Sequence, residues 1–184
     1  MSAELLRPPV YHAKPLRCEP LVFTAGPIQG TADWQEEAIR MLQVAWPTTH
    51  IACPRSSIWE KSMTPNERDY LFEQQVRWEH YYLNHALRHG VVLFWLAPEM
   101  QHFPERAYAQ TTRFELGFVL GSALAMKSVG FNRDYPLPLV VGIHPQFSNR
   151  SYLRKTLAYH AVPTYDALED TVEAVGVVID LLRK

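Results

Sequence analysis

The sequence predicts an α/β fold of the flavodoxin-like, doubly wound class, with a five-stranded parallel sheet in the order 2-1-3-4-5 and helices on both faces. Two observations support this prediction. Segments with strand character alternate with segments of helical character from residue 21 onwards, which is typical of sheets assembled from βαβ units. The strongest strand candidates are unbroken apolar runs, as expected when both faces of a parallel sheet are covered.

Five short apolar runs are predicted to form the strands, each bounded by turn residues or a proline. In chain order they lie at residues 21–25, 50–53, 91–96, 138–143 and 162–165. The run at 91–96 is the strongest, because six apolar residues follow one another directly after Gly90. The run at 50–53 is the weakest, because Pro54 lacks the backbone donor that would continue it.

Five helices alternate with these strands, one from Asp33 to about residue 45 and the others at 65–89, 114–126, 149–160 and 167–182. Asp33 and Glu36 have the spacing of a capping box at the first helix start. Pro65 suits the first turn of the second helix, and Gly90 suits the position just after its end. The helix at 114–126 is apolar almost all round, so we expect it to be buried on nearly all sides.

The bulk properties are those of a globular protein with one domain. Of the 184 residues, 47% are hydrophobic and 20% are charged, which is an ordinary composition for a globular chain. Residues 1–20 contain four prolines and no regular period, so we expect an extended N-terminal arm on the surface. Residues 21–184 are predicted to form the single α/β domain.

Charge and cysteine content restrict the partners and the compartment. The net charge is −1, without the basic excess that binding to polymeric nucleic acid requires. No apolar run reaches the length of a membrane span, and the N-terminus lacks the apolar core of a signal peptide. Cys18 and Cys53 show no motif spacing and are interpreted as free thiols. We therefore expect a cytoplasmic protein that binds neither membranes nor polymeric nucleic acid.

Ligands of such sheets bind at the carboxyl ends of the strands, near the switch point between the first and third strands. The loop Gly26-Pro27-Ile28-Gln29-Gly30 follows the first strand at this edge. Its glycines permit a tight turn. Alternatively, its backbone forms a wall beside a flat or sugar-like ligand, with Gln29 available for polar edges. Trp95, near the end of the third strand, is equally consistent with stacking on a ligand and with simple packing.

Glu115 lies at the predicted start of the apolar helix and has two interpretations. A buried carboxylate beside an apolar surface is costly unless it has a partner or a function. With Thr112 three residues earlier, Glu115 has the spacing of a capping box, which favours a structural role. In the other interpretation Glu115 is a nucleophile, which the positive end of the helix keeps ionised. The two roles do not exclude each other.

Other catalytic and cofactor signatures are absent from the sequence. The glycine loop is neither a P-loop nor a dinucleotide fingerprint. His85 and His89 have the spacing of two metal ligands on one helical face, but no obvious third ligand accompanies them. No Gly-x-Ser-x-Gly element indicates a serine hydrolase. We therefore expect neither a metal ion nor a cofactor.

Four segments together resemble one known family. They are FTAGPI at residues 23–28, DWQ at 33–35, VLFWL at 92–96 and FELG at 114–117. In order and spacing they are similar to the nucleoside 2-deoxyribosyltransferase-like family, which includes relatives that hydrolyse the N-glycosidic bond of nucleoside monophosphates. The resemblance extends over residues 21–160, and the FELG element at the head of an apolar helix is its most specific part. The five-stranded flavodoxin-like sheet that it implies agrees with the pattern above.

The resemblance implies that Glu115 is the nucleophile of an N-glycosyl transferase or hydrolase. It would attack C1′ of a ribosyl or 2′-deoxyribosyl group, expel the base and pass the sugar to another base or to water. The resemblance also implies a substrate site lined by residues 26–29, with Asp33, Thr112 and Arg113 nearby.

Related sites are often completed by a neighbouring subunit, so the resemblance implies a homo-oligomer. By position, the segment 144–152 would be the neighbour's contribution, with Ser148 and Asn149 as candidates. The apolar helix at 114–126 and the aromatic segment at 78–82 support the same expectation, because one small sheet does not need both of them to cover itself.

Two features depart from the family pattern. Trp95 stands where the third strand usually ends in, or leads to, an additional acidic residue. Three carboxylates remain candidates for protonating the leaving base: Glu79, Glu99 and Glu105. Arg113 is unusual two residues before the nucleophile, and it can pair with Glu115 or contact a 5′-phosphate. Transfer and hydrolysis both stay open, as does a non-catalytic nucleotide- or ADP-ribose-binding module on the same fold.

Overall fold

The computed structural model of the chain describes residues 3–12, 16, 19–56, 63–131 and 136–182. The strands in these residues are β1 (Leu5–Leu6), β2 (Leu21–Ala25), β3 (His50–Ala52), β4 (Val91–Leu96), β5 (Leu139–Ile143) and β6 (Thr164–Tyr165). The helices are α1 (Trp34–Ala45), α2 (Pro65–His89), α3 (Gln110–Ser128), α4 (Arg150–Tyr159) and α5 (Leu168–Leu182). The strands form one parallel sheet in the order β1-β3-β2-β4-β5-β6.

The predicted fold class is confirmed, but the sheet has six described strands rather than five. The five predicted strands lie in the predicted order, and β1 adds a sixth strand beside β3. The backbone N–H of Ile51 donates to the Glu4 carbonyl oxygen at 3.0 Å, and that of Cys53 donates to the Leu6 carbonyl oxygen at 2.9 Å. A strand of two residues carries no periodic signal in the sequence, so only these backbone hydrogen bonds show that this part of the N-terminal segment joins the sheet.

Successive residues of β4 point alternately into two cores. Phe94 and its alternate neighbours pack with α2 and α3, whereas Trp95 and its alternate neighbours pack with α1 and α5. This alternation is the period of two that every strand imposes on its side chains. The sheet is therefore covered on both faces, as the unbroken apolar run of β4 predicts.

Helix α3 differs from its prediction at its start and in its burial. It begins at Gln110 rather than at residue 114, and Ala109, in the left-handed conformation, precedes it without a side-chain cap. One side packs on the sheet through residues such as Leu116 and Val119, but Phe114 is 76% exposed. The prediction of burial on nearly all sides is wrong, because a helix that covers one sheet buries only one stripe.

The exposed stripe of α3 runs along the side of the helix that faces away from the sheet. Its members are Phe114, Gly117, Phe118, Gly121 and Ala125. A β-carbon added to either glycine would have no neighbouring atom within 4 Å. The stripe is therefore both apolar and open, which is uncommon on a surface without a binding role.

Helix α2 also corrects an expectation. Trp78 and Tyr82, in the aromatic segment that was expected to help form a contact with a second subunit, are fully buried, and Tyr81 is 46% exposed. The N-terminal segment covers them, since the Trp78 indole N–H donates to the Val10 carbonyl oxygen at 2.7 Å. No helix in the described ranges is long and apolar enough to cross a bilayer. Cys53 is a buried free thiol, and Cys18 lies outside the described residues.

Candidate active site

A cavity of about 520 Å³ opens at the carboxyl edge of the sheet. Its wall combines the loop after β2, the residues after β3, one side of α2 and the first turns of α3. The volume is in the range of sites for small molecules. Its polar lining includes two carboxylates, Glu79 from α2 and Glu115 from α3.

The loop after β2 forms the cavity wall with its residues 26–29. A β-carbon on Gly26 would lie 2.4 Å from the Trp95 carbonyl oxygen, so only glycine allows the loop to approach β4 this closely. Gly30 has a φ of +77°, and its carbonyl oxygen accepts from the backbone N–H of Met100 at 2.7 Å and of Gln101 at 3.1 Å. The loop is thus held against the segment that links β4 to α3.

Arg55 buttresses this loop from behind, and the sequence did not single it out. Its guanidinium donates to the Ile28 carbonyl oxygen at 3.2 Å and to Gln35 Oε1 at 3.0 Å. It also pairs with Asp33 Oδ1 at 3.0 Å. Asp33 itself does not line the cavity, because its carboxylate accepts from the Glu36 backbone N–H and caps α1. The sequence did contain one signal for Arg55, since it is a cationic residue shortly after β3, at the edge of the sheet where ligands bind.

Glu115 and Thr112 both line the cavity, and they do not form a capping box. Because α3 begins at Gln110, Thr112 is the third helical residue and Glu115 lies in the second turn. The capping interpretation is therefore wrong. That interpretation placed the start of the helix at residue 114, four residues too late. The true start is not marked in the sequence, because Ala109, the residue before it, has no capping side chain.

The electrostatics of the two carboxylates are coupled. Burial, together with the smaller effect of the nearby Glu79 charge, raises the pKa of Glu115 to about 7. Burial also raises the pKa of Glu79, partly offset by a hydrogen bond from Gln75. The expectation that the helix end keeps Glu115 ionised is not met, because the helix dipole acts mainly within the first turn. One proton shared by the pair is the state that burial favours.

Helix α2 supplies a stripe of residues to the cavity. Phe72, Gln75 and Glu79 follow each other at intervals of three and four, so they share one face. The Gln75 amide Nε2 donates to Glu79 Oε1 at 2.8 Å and to the Pro54 carbonyl oxygen at 3.4 Å. The spacing was visible in the sequence, but only the packing of α2 shows that this face meets Glu115.

The other candidate acids lie elsewhere. Glu99 does not line the cavity, and its carboxylate pairs with His102 Nδ1 at 2.8 Å. Glu105 is exposed and is not part of the wall either. Of the three carboxylates that the sequence offered, the structure therefore brings only Glu79 to the cavity with Glu115.

Trp95 and Arg113 are also outside the cavity wall. The Trp95 side chain is 5% exposed in the core between the sheet, α1 and α5, and its ring meets His144 edge to face at 6.1 Å. Its role is packing, and the expected ligand contact is wrong. The Arg113 guanidinium donates to the carbonyl oxygen and hydroxyl of Ser148 at 3.0 and 2.9 Å and lies 4.6 Å from the Phe147 ring centre.

Ser148 and Asn149 are exposed in the loop before α4 and do not line the cavity of their own chain. Several lining residues had no signal in the sequence. They are Pro54, Ser56, Arg106, Ala107, Ala109, Gln110 and Thr111. Most belong to loops whose path depends on tertiary contacts. In the described parts of the chain, no group of three or more histidine, cysteine or acidic residues is arranged to hold a metal ion.

A family model described as nucleoside 2-deoxyribosyltransferase like matches residues 19–135, which include β2 through α3 and both cavity carboxylates. No curated protein matches the chain significantly. The matched region ends before β5, so the N-terminal segment before residue 19 and the loop with Ser148 lie outside it.

Proposed function

Because the chain belongs to the nucleoside 2-deoxyribosyltransferase-like family, we propose that it cleaves or transfers the N-glycosidic bond of a nucleoside, deoxynucleoside or nucleoside monophosphate. The observation that carries this proposal is the pair Glu79 and Glu115 in one cavity. Two carboxylates with different protonation are the minimum that retaining glycosyl chemistry needs.

Glu115 acts as the nucleophile in this proposal. Its ionised carboxylate attacks C1′ as the bond from C1′ to the base nitrogen breaks, and the electron pair of that bond goes to the base. Glu79 holds the proton and donates it to the departing base nitrogen. The product is a glycosyl ester of Glu115. Water or a second base then attacks C1′, Glu79 removes the proton of the attacking group, and Glu115 leaves as a carboxylate.

The two acids share one proton: in the free protein the charge of Glu79 raises the pKa of Glu115, and the reaction requires the arrangement in which Glu79 holds that proton. Burial disfavours the state in which both carboxylates are ionised, so the pair keeps one proton near neutral pH. The Gln75 amide donates to Oε1 of Glu79, which leaves Oε2 as the oxygen that carries the proton towards the base.

The remaining wall has groups suited to a nucleoside. Phe72 is 62% exposed and lines the cavity, so it offers a face on which a base can stack. This is the role that Trp95 does not fill. Residues 26–29 also line the cavity. Arg106 also lines the cavity. Its guanidinium is the group expected to bind a 5′-phosphate if the substrate carries one.

The exposed stripe of α3 supports a homo-dimer as the working form. Two helices can approach closely where glycines lie between aromatic side chains, and two-fold pairing is the commonest way to cover such a face. Ser148, fixed to the start of α3 through Arg113, would lie near the partner in such a dimer. We include Ser148 and Asn149 as contributions to the neighbouring site.

Dimer formation is testable by sedimentation at micromolar concentration. Phe118→Glu places a charge in the stripe and should give a monomer with reduced activity. Tyr159→Glu is the matched control, because Tyr159 is 86% exposed and belongs to α4 rather than to the stripe. A wild-type protein that is active and monomeric contradicts this part of the proposal.

The decisive experiment is a screen for free-base release from ribonucleosides, deoxynucleosides and their monophosphates. Glu115→Gln should lower release by about a thousandfold or more, because the amide cannot form the glycosyl ester. Glu99→Gln removes a carboxylate outside the cavity and should leave release unchanged. Mass spectrometry of the quenched reaction should find the sugar on the peptide that contains Glu115.

The same screen tests the alternative of a non-catalytic nucleotide- or ADP-ribose-binding module. A module of that kind binds its ligand without releasing base, and Glu115→Gln then changes affinity alone. Binding to the wild-type protein with no turnover on any substrate of the panel would replace the enzymatic proposal with this one.

A further inference from the structure

The N-terminal segment 4–12 makes more contacts around the cavity than an edge strand requires. After β1, the Arg7 guanidinium donates to the Arg55 carbonyl oxygen at 3.0 Å and pairs with Glu36 at 3.0 Å. The Ser56 hydroxyl then donates to the Pro8 carbonyl oxygen at 3.2 Å. The segment thus passes directly behind residues 54–56, which contribute Pro54 and Ser56 to the cavity wall.

The same segment continues onto α2. The Trp78 indole N–H donates to the Val10 carbonyl oxygen at 2.7 Å, and the His12 backbone N–H donates to the Tyr82 hydroxyl at 2.7 Å. The Tyr11 ring stacks on the Tyr82 ring with centres 5.9 Å apart. Trp78 and Tyr82 are both fully buried. These hydrogen bonds therefore fix the orientation of one turn of α2 about the helix axis and its position along that axis.

Glu79 lies in this fixed turn, next to Trp78. One turn earlier, Gln75 links Glu79 to the Pro54 carbonyl oxygen, and Pro54 belongs to the wall that the same segment supports from behind. The proposed acid is therefore held from two directions by one stretch of nine residues. That stretch lies outside the region matched by the family model, which begins at residue 19.

We propose that segment 4–12 is a positioning element of the active site, which sets the place of Glu79 relative to Glu115 through its bonds to Trp78, Tyr82 and residues 54–56. This inference rests on the proposed function for its catalytic meaning. Its structural content, the placement of one carboxylate relative to another, can be measured without turnover.

The expected consequence follows from the coupling of the two acids. When the turn of α2 loosens, Glu79 moves relative to Glu115 and water enters between them. Both changes favour the ionised form of Glu115, because its pKa is raised by burial and by the charge of Glu79. The pKa of Glu115 should then fall from about 7 towards the value of an exposed glutamate.

Two single-contact variants test the inference. Tyr82→Phe removes the hydroxyl that accepts from His12 and keeps the ring, and Arg7→Met removes the guanidinium that bonds to Arg55 and Glu36. Arg77→Gln is the matched control, since Arg77 lies on the exposed side of the same helix and pairs only locally with Glu73 in its ion pair. Thermal unfolding identifies any variant that fails to fold.

The first measurement is the titration of the Glu115 carboxyl carbon by NMR, assigned by its loss in Glu115→Gln. The pKa of Glu115 should fall in Tyr82→Phe and in Arg7→Met and stay at the wild-type value in Arg77→Gln. If both variants fold and keep the wild-type titration, the segment does not position Glu79 and the inference is overturned.

The second measurement is base release on a substrate found in the screen. The two variants should lower kcat by about tenfold with little change in KM, because misplacing a catalytic group slows the chemical step more than it weakens binding. The acid limb of kcat/KM should move to lower pH. Unchanged kcat and pH profile in folded variants overturn the inference. If the wild-type protein releases no base, the proposed function fails, and the NMR titration still decides whether the segment positions Glu79.

Discussion

The two helical layers of this protein rest on the same strands and differ in how completely they close. On the side of α1 and α5, tryptophans fill the space against glycines. A β-carbon on Gly142 would lie 2.4 Å from the Trp95 ring, and one on Gly176 would lie 1.8 Å from the Trp46 ring. On the side of α2 and α3, the layer opens at the carboxyl edge into the cavity that contains Glu79 and Glu115.

The difference shows how one sheet supports both rigidity and chemistry. The closed layer has no room for an additional methyl group at its glycines, so it fixes the strands and the loops at their ends. The open layer leaves two carboxylates half-buried, where burial raises the pKa of each. A site of this kind costs stability locally and depends on the closed layer to stay in place.

The largest expected effect concerns the open layer. Glu79→Gln removes the proton donor and should lower base release by about a hundredfold to ten-thousandfold. The loss should shrink on a substrate whose base is already cationic, because such a base leaves without a proton. Glu99→Gln, on a carboxylate outside the cavity, should have no effect. Steady-state rates on neutral and cationic nucleosides check this, and equal losses on both substrates would exclude Glu79 as the acid.

The second effect is a pH dependence of stability. The pKa of Glu115 is raised from 4.5 in its reference state to about 7 in the folded protein, so the folded state binds its proton more tightly. The contribution of this group is fully present below pH 4.5 and is lost as the pH rises through 7. Because one pKa unit corresponds to about 1.4 kcal/mol, the loss reaches at most about 3 kcal/mol.

Glu115→Gln should remove that dependence. The variant should match the wild-type protein at pH 4 and be more stable than it at pH 8, by up to about 3 kcal/mol. Urea unfolding at the two pH values measures the difference, with Glu99→Gln as the control. A variant that is less stable than the wild-type protein at pH 8 would show that Glu115 is stabilised in its ionised form.

The third effect probes the closed layer. Gly176→Ala forces a methyl group into the Trp46 ring and should destabilise the protein by about 1 to 3 kcal/mol, the usual cost of overpacking. Denaturant unfolding measures this loss. Gly176→Ala combined with Trp46→Phe should recover part of it, since the smaller ring makes room. If Gly176→Ala leaves the free energy of unfolding unchanged, the side chains of the closed layer rearrange around a methyl group more easily than their packing indicates.

The smallest effect is the matched substitution on the open layer. Gly121→Ala, also within a helix, meets no atom within 4 Å and should stabilise the isolated chain by about 0.5 to 1 kcal/mol through helix propensity. The measurement belongs at a protein concentration low enough for the monomer. If Gly176→Ala lowers the free energy of unfolding and Gly121→Ala raises it, the contrast between the two layers is confirmed. Changes of the same sign would remove that contrast.

Local signals predicted much of the fold and part of the site. The bounds of α2 follow from Pro65 and Gly90, and those of β4 follow from its apolar run. The start of α3 was missed because Ala109, the residue before it, has no capping side chain to mark it. The site residues that follow predicted strands, such as Gln29, were found. Those on helix faces, such as Phe72 and Gln75, were not, because their spacing does not reveal what the face meets.

The sequence by itself determined the alternation of elements, the sheet order of five strands and the glycine loop, because these depend on spacing along the chain. The resemblance carried by its FELG segment made Glu115 the candidate nucleophile. Only the tertiary structure decided that Glu79 rather than Glu99 accompanies Glu115 and that the Trp95 side chain points away from the cavity. It also decided that the N-terminal segment reaches α2. Each of these depends on which face of an element meets which neighbour, and periodicity fixes the faces of a strand or helix without assigning their partners.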